Sequence, residues 1–388
     1  MTPLRVFILA GEPSGDKLGG ALMAGLKALR PDVNFQGIGG PQMQAEGLVS
    51  QFDMSELSVM GLAEVLPKYR HLKRRIAQTA DAVVAMQPDV LITIDSPDFS
   101  LRVAKQVKAR SQIRTVHYVA PTVWAWRAGR AAKMARHIDQ VLALLPFEPA
   151  YMQAAGMRCD FVGHPVVAEP VATPQDAQSF REAHGLVNNP VVLVLPGSRR
   201  SEVARLGERF GQAVALIKER HKDAQFVVPA AAPVAETVLA LTRDWPDTHV
   251  LDPTGRDLGE AMAQKRAAFR AADVALAASG TVSLELAVAD TPMVIAYDMN
   301  LLSRLLISRM LLVDTVTLVN LVSETRTVPE YIGKDCTPQA IAQGVSDVLA
   351  DPQAQHAAMA LTMQRLGQGG EAPGLRAARA VLDGLQPR

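Results

Sequence analysis

Two short segments in the C-terminal half, Leu195-Pro196-Gly197-Ser198-Arg199 and Ala278-Ser279-Gly280-Thr281, carry the residue types that hold a diphosphate. In the first, Gly197 and Ser198 can bring backbone N–H groups close to a phosphate, and Arg199 adds a planar, bidentate cation. The helix expected next contributes its positive N-terminal end. In the second, Ser279-Gly280-Thr281 again opens a helix, and Glu285 lies one turn further along the same face. A carboxylate there suits hydrogen bonds to ribose hydroxyls. Either segment alone also fits an ordinary strand-to-helix turn or a solvated helix surface; together they point to a nucleotide diphosphate, and a nucleotide sugar in particular.

The first half has a different chemistry. Gly11-Glu12-Pro13-Ser14-Gly15-Asp16 follows an apolar run and offers carboxylates and a hydroxyl instead of positive charge, which suits sugar hydroxyls. It lacks the G-x-G-x-x-G spacing of a dinucleotide loop. Asp95 ends the run Leu91-Ile92-Thr93-Ile94, so its carboxylate is expected at the carboxyl edge of a sheet, where it can take a proton from an attacking sugar hydroxyl. A capping role is the alternative, and Asp98 is the better cap of the two. His117 and His164 read as hydrogen-bonded crevice or turn residues, with a catalytic role as the alternative. Trp124, Trp126 and Arg127 suit a sugar face or acyl chain, with simple burial of the rings as the alternative.

A third cluster concerns surfaces. Pro67 is expected to open a helix whose stripe Tyr69, Leu72, Ile76, Ala80 and Val83 faces a core. Its first turns carry Lys68, Arg70, His71, Lys73, Arg74 and Arg75, just after the apolar run from Val59 to Leu66. Met60, Leu62 and Leu66 beside Lys68, Arg70, Lys73 and Arg74 are what a protein needs to rest on an anionic membrane. A solvated helix over a buried loop fits the same residues. Leu301 to Leu312, with Arg304 and Arg309, is a second candidate surface.

The elements that must position these groups follow from periodicity. Short Val-, Ile- and Leu-rich runs alternate with helical patterns, the signature of parallel strands and crossover helices. Strands are expected near 4–9, 33–38, 89–94, 113–119 and 140–145, and again near 191–195, 225–229, 248–251, 273–277 and 292–296. The fold class is therefore α/β, with two doubly wound sheets. The 388 residues, 48% hydrophobic, suit two domains. We expect an N-terminal domain over 1–170, a linker from Gly163-His164-Pro165 to about Asn189, a second domain over 185–345, and helices over 346–388 able to pack back across either domain. A net charge of +1 argues against nucleic acid as a partner. The isolated Cys159 and Cys336 give no zinc spacing or disulfide framework and fit a reducing cytoplasm. The first apolar run is too short for a signal peptide, and no run of about 20 apolar residues could span a bilayer.

The combination G-E-P-S-G-D at 11–16, I-D-S-P-D-F at 94–99, V-W-A-W-R at 123–127, L-P-G-S-R at 195–199 and A-S-G-T at 278–281 resembles the lipid-A-disaccharide synthases, glycosyltransferase family 19, over nearly the whole chain. The resemblance implies a GT-B fold, two Rossmann-like domains with an interdomain cleft. It also implies a hexosyltransferase that joins UDP-2,3-diacylglucosamine to 2,3-diacylglucosamine 1-phosphate (lipid X) with inversion, giving a β-1,6 disaccharide 1-phosphate and UDP for lipid A and lipopolysaccharide synthesis. Its setting would be the inner face of the cytoplasmic membrane, as a peripheral protein. Carried over position by position, Asp95 matches the base and Arg199 the residue tied to the leaving diphosphate. Gly11, Glu12, Ser14, Gly15 and Asp16, with Trp124, fall on the acceptor side. Gly197, Ser198, Ser279, Gly280, Thr281, Glu285 and Asn320 fall on the UDP side, although Val319 stands where the family usually has proline. No cofactor and no metal are expected, since no D-x-D motif is placed to hold one on the diphosphate. Acyl-chain selectivity is not legible in any motif, and a homo-oligomer is compatible with the sequence.

Two rivals share these residues. A UDP-sugar 2-epimerase would use the same UDP site but turn over UDP-N-acetylglucosamine without an acceptor. A non-catalytic, membrane-associated nucleotide-sugar-binding protein would bind UDP with Asp95 dispensable.

Overall fold

A computed structural model describes the protein over residues 3–57, 62–125, 129–299 and 312–385, side chains at 62–69 excepted. The chain divides into two compact units, Met1–Ala168 with Leu366–Arg388, and Glu169–Arg365. In the first, β1 (Arg5–Ala10), β2 (Asn34–Ile38), β3 (Val90–Ile94), β4 (Arg114–Tyr118), β5 (Gln140–Ala143) and β6 (Arg158–Phe161) form a parallel sheet in the order β2-β1-β3-β4-β5-β6. In the second, β7 (Val191–Leu195), β8 (Gln225–Pro229), β9 (Thr248–Leu251), β10 (Val274–Ala278), β11 (Met293–Tyr297) and β12 (Glu330–Ile332) are again parallel, ordered β12-β11-β10-β7-β8-β9.

Central strands such as VLITI in β3 and VVLVL in β7 are buried at every residue because helices cover both faces of a parallel sheet. Each such side chain contributes roughly 1.5–3 kcal/mol of burial. The ten strands expected from sequence are present. β6 and β12 are additional, and they are edge strands of sequence RCDF and EYI. With one side unpaired and their residues mostly half-buried, they never needed a continuous apolar run.

Two helices differ from expectation. The helix expected to open at Pro67 begins at Leu62 and runs to Met86; a proline in its second turn forgoes one backbone hydrogen bond, which a long packed helix can absorb. Its stripe does face the core, with Ile76, Ala80 and Val83 buried. The stretch read as linker holds the helix Pro174–Ala183, started by Thr173 and Asp176 exchanging hydrogen bonds as a capping box. The terminal residues split between the units: Pro338–Ala350 and Gln353–Arg365 stay with the second, while Pro373–Leu385 packs on the helix Pro13–Leu29 of the first. Their crossing is close enough that a Cβ on Gly374 would lie 2.5 Å from the Ala21 carbonyl oxygen.

In each sheet the strand order reverses once. In the first unit the chain moves from β1 outward to β2, then returns to lay β3 on the other flank of β1. In the second it moves from β7 through β8 to β9, then returns to lay β10 beside β7. The loops leaving the two reversing strands part from each other, opening a crevice at their carboxyl ends. The loops singled out by sequence, after β1 and β3 and after β7 and β10, leave these four strands.

Candidate active site

The β7 and β10 loops meet in a cavity of about 590 Å³ within the C-terminal unit. Gly197, Ser198 and Arg199 from one loop and Ser279, Gly280, Thr281 and Glu285 from the other all line it. Arg199 precedes the helix Arg200–Arg220, and its side chain is 64% exposed, so the guanidinium is available to a ligand. Glu285 shares the cavity with Lys265, whose Nζ lies 2.7 Å from Glu285 Oε2. The remaining wall is mostly apolar, with Asp252 and Gln264 as its polar members: Pro229 at the end of β8 and Ala230 to Ala232 after it, Leu251 at the end of β9, and Leu258, Met262 and Phe269 from the helix Leu258–Ala271. Leu258 is 77% exposed at the rim. One end of the cavity thus carries cation, carboxylate and loop N–H groups, and the other an apolar face fit for a nucleobase.

Glu202 belongs to this cavity as well. Its Oε2 accepts from the Ser198 and Arg199 backbone N–H groups at 3.1 and 3.3 Å, and its Oε1 lies 3.3 Å from Arg199 Nη1. Gly197 has φ +126°, and a Cβ there would lie 2.6 Å from Glu202 Cβ.

In the N-terminal unit, Asp95 and Ser96 follow β3 with φ of +47° and +44°, and Val119 follows β4 with φ +84°. Three adjacent non-glycine residues in left-handed conformations at one sheet edge are a store of strain of the kind found at functional sites, about 1–3 kcal/mol each. The Asp95 N–H is held by the Tyr118 carbonyl at 3.0 Å, and among the described residues its half-buried carboxylate has no side-chain partner. Gly11 packs against the Ser96 turn so closely that a Cβ would lie 2.8 Å from Ser96 Oγ. Glu12 is half-buried, Ser14 exposed and Gly15 buried against Ala10 and Ile94.

Three residues expected to touch ligand are turned inward. Asp16 is 3% exposed and accepts from the backbone N–H groups of Gly40, Gln42 and Met43 at 2.8, 2.9 and 3.0 Å, so its carboxylate caps the helix Pro41–Ala45. Trp124 is buried, edge-on to Phe147 at 5.2 Å, with Nε1 donating to Glu148 Oε1; burial pushes the Glu148 carboxyl up to about 7. Asn320 is 1% exposed: Nδ2 donates to the Val328 carbonyl, and Oδ1 accepts from the Val328 N–H. The side-chain amide thus clips a loop. Val319, where the family usually has proline, is likewise buried in the helix Leu318–Ser323.

His117 is buried with Nδ1 2.7 Å from Thr93 Oγ1, and desolvation lowers its pKa to about 4. His164 Nδ1 accepts from the Val166 N–H within a turn. On the helix Leu62–Met86, Arg70, Lys73 and Arg74 are exposed, whereas Arg75 and His71 both bind Glu56. Met60, Trp126, Arg127 and residues 301–311 lie outside the described residues, as do the side chains of Leu62, Leu66 and Lys68. Among the described residues no helix is long and apolar enough to cross a membrane.

Sequence reasoning missed Glu202, Lys265 and the apolar wall. The signal was present: Leu258, Met262, Lys265 and Phe269 recur at helical spacing, and every loop leaving a parallel strand at its carboxyl end is a candidate for ligand contact.

Two doubly wound parallel-sheet units, the second with a cavity at its switch point, define the GT-B class of α/β proteins. Within that class the chain belongs to the lipid-A-disaccharide synthase family: residues 6–379 match the family described as lipid-A-disaccharide synthetase. It is 65% identical to the lipid-A-disaccharide synthase of Ruegeria pomeroyi, over 98% of this chain and 96% of that protein. It is 46% identical to the one from Rhodospirillum centenum, over 100% and 96% respectively. Among solved structures it is similar to the UDP-GlcNAc 2-epimerase of Neisseria meningitidis bound to UDP-GlcNAc, with TM-score 0.61, 12% identity and 99% of both chains covered. The Methanocaldococcus jannaschii epimerase complex with UDP-GlcNAc and UDP gives TM-score 0.58 at 13% identity, covering 98% of this chain and 99% of that one. At such identities these structures share the fold and nothing finer.

Proposed function

We propose that this chain is an inverting glycosyltransferase that joins UDP-2,3-diacylglucosamine to 2,3-diacylglucosamine 1-phosphate, releasing UDP and the β-1,6 disaccharide 1-phosphate. Family membership supports the reaction. The observation that carries the division of labour is the cavity between the β7 and β10 loops, where an exposed guanidinium, a paired carboxylate and an apolar wall suit diphosphate, ribose and base.

Asp95 is the base in this reading. Its carboxylate takes the proton of the acceptor's 6-hydroxyl as that oxygen forms a bond to the anomeric carbon. The bond from that carbon to the diphosphate oxygen breaks, and its electron pair leaves on UDP. Attack and departure occur on opposite faces, so the configuration inverts without a covalent enzyme intermediate. Arg199 stabilises charge as it develops on the leaving oxygen, which is where a fixed cation lowers a barrier most. Gly11, Glu12 and Ser14 line the acceptor side, while Asp16, Trp124 and Asn320 act through the scaffold. Arg70, Lys73 and Arg74 would hold the protein at the anionic inner face of the cytoplasmic membrane, where both acylated substrates reside.

The decisive experiment is mass spectrometry of products from the purified protein with both acylated substrates. The disaccharide 1-phosphate and UDP should form with the wild type, and neither above background with Asp95→Ala. Epimerisation of UDP-N-acetylglucosamine without acceptor would refute the transferase reading, and undiminished turnover of Asp95→Ala would remove Asp95 as base.

A further inference from the structure

The donors assigned to the diphosphate already have an occupant. Glu202 Oε2 sits on the Ser198 and Arg199 N–H groups, and Oε1 faces the Arg199 guanidinium. The loop is shaped around this carboxylate: Gly197 adopts φ +126°, and the space its Cβ would fill is taken by Glu202, 2.8 Å to Oε2. The Glu202 side chain is 18% exposed and lines the same cavity as the second loop. At the third position of its helix it also serves as an N-terminal cap.

A carboxylate and a phosphate are both anionic acceptors, and one pair of N–H groups cannot serve both at full strength. Their negative charges also repel across a few ångströms in a partly desolvated cavity. We infer that Glu202 is a positioning residue that holds the diphosphate loop and Arg199 in place in the free protein and competes with the nucleotide for them. This rests on the assignment of the cavity to the nucleotide. Donor binding exchanges the carboxylate for phosphate oxygens, releasing Arg199 toward the ligand. Glycosyl transfer then breaks the bond to the terminal phosphate and leaves more negative charge on UDP than the donor carried there. Repulsion from Glu202 is therefore greatest against the product, and its return to the loop N–H groups assists UDP release.

Glu202→Gln tests this, because the amide oxygen still accepts from the loop N–H groups while the charge is gone. Titration calorimetry with UDP and with uridine separates the diphosphate from the base and ribose. UDP should bind Glu202→Gln about tenfold tighter than wild type, equivalent to about 1.4 kcal/mol, with uridine affinity unchanged. Steady-state kinetics should show a lower donor KM and stronger product inhibition by UDP, without a higher kcat. Glu202→Ala, which removes charge and cap together, should also tighten UDP and covers the case of a poorly folded Gln variant. UDP affinity equal to or weaker than wild type in the folded variants would overturn the proposal and leave Glu202 a structural cap. Absence of UDP binding by the wild type would instead overturn the assignment of the cavity.

Discussion

Asp16 belongs to the segment that resembles an acceptor-binding motif and sits in the first turn of the helix Pro13–Leu29, yet its carboxylate is directed at the protein. Three backbone N–H groups converge on it at 2.8–3.0 Å, and the residue is 3% exposed, so its oxygens face the protein and not a sugar hydroxyl. Asp16→Asn keeps one carbonyl oxygen for Gly40 and Met43 and turns an NH₂ group toward the Gln42 N–H. The variant loses the charge on two bonds and the whole of the third. Hydrogen bonds to charged groups contribute about 1.5–3 kcal/mol each, and the loss of acceptor at a buried N–H adds to the cost. Because the bonds share one carboxylate and do not add fully, Asp16→Asn should destabilise the N-terminal unit by about 2–4 kcal/mol. Urea unfolding followed by circular dichroism should show a lower midpoint at unchanged slope. Well below that midpoint, the acceptor KM should stay within about twofold of wild type, since a group that does not touch the acceptor removes no binding energy from it. A wild-type unfolding midpoint combined with a large rise in acceptor KM would refute the reasoning and return Asp16 to the substrate.

Gly197→Ala should weaken UDP binding by about tenfold, because a side chain at φ +126° costs about 1–3 kcal/mol and relief of that strain draws the loop N–H groups off the diphosphate; calorimetry reads this directly, and unchanged affinity would mean that the loop is not a ligand contact. Burial lowers the His117 pKa from 6.5 to about 4. The unfolded chain therefore takes up a proton before the folded one, and His117's contribution, about 3 kcal/mol in full, is present above pH 6.5 and lost as pH falls toward 4. Urea midpoints at pH 7.5 and 5 should differ less in His117→Gln than in wild type, and an equal difference would contradict this account. Reversing Lys73 and Arg74 together to Glu should reduce binding to phosphatidylglycerol vesicles by about 30-fold or more, at about 1 kcal/mol for each cation removed. Unchanged cosedimentation would dismiss that face as the membrane contact.

The sequence by itself determined the parallel strands, since β7 is an unbroken apolar run and β3 is interrupted only by Thr93, a pattern that only a two-sided core accommodates, and it singled out the loops that leave the reversing strands. Gly197, Arg199 and Asp95 stood out in the sequence because their residue types answer local needs: close backbone approach to a phosphate, a bidentate cation, a carboxylate at a strand end. The short edge strands β6 and β12 were not legible, because half-exposed pairing along one side imposes no pattern. Only the tertiary structure decided whether a polar side chain faces ligand or protein. Asp16 meets Gly40 to Met43, Trp124 meets Glu148, and Asn320 meets Val328. Lys265 joins Glu285 from a neighbouring helix, and Glu202 turns back onto Ser198 and Arg199. Periodicity and motif spacing report the backbone's local demands, whereas the availability of a hydrogen-bonding group depends on which distant donors and acceptors the fold has already brought against it.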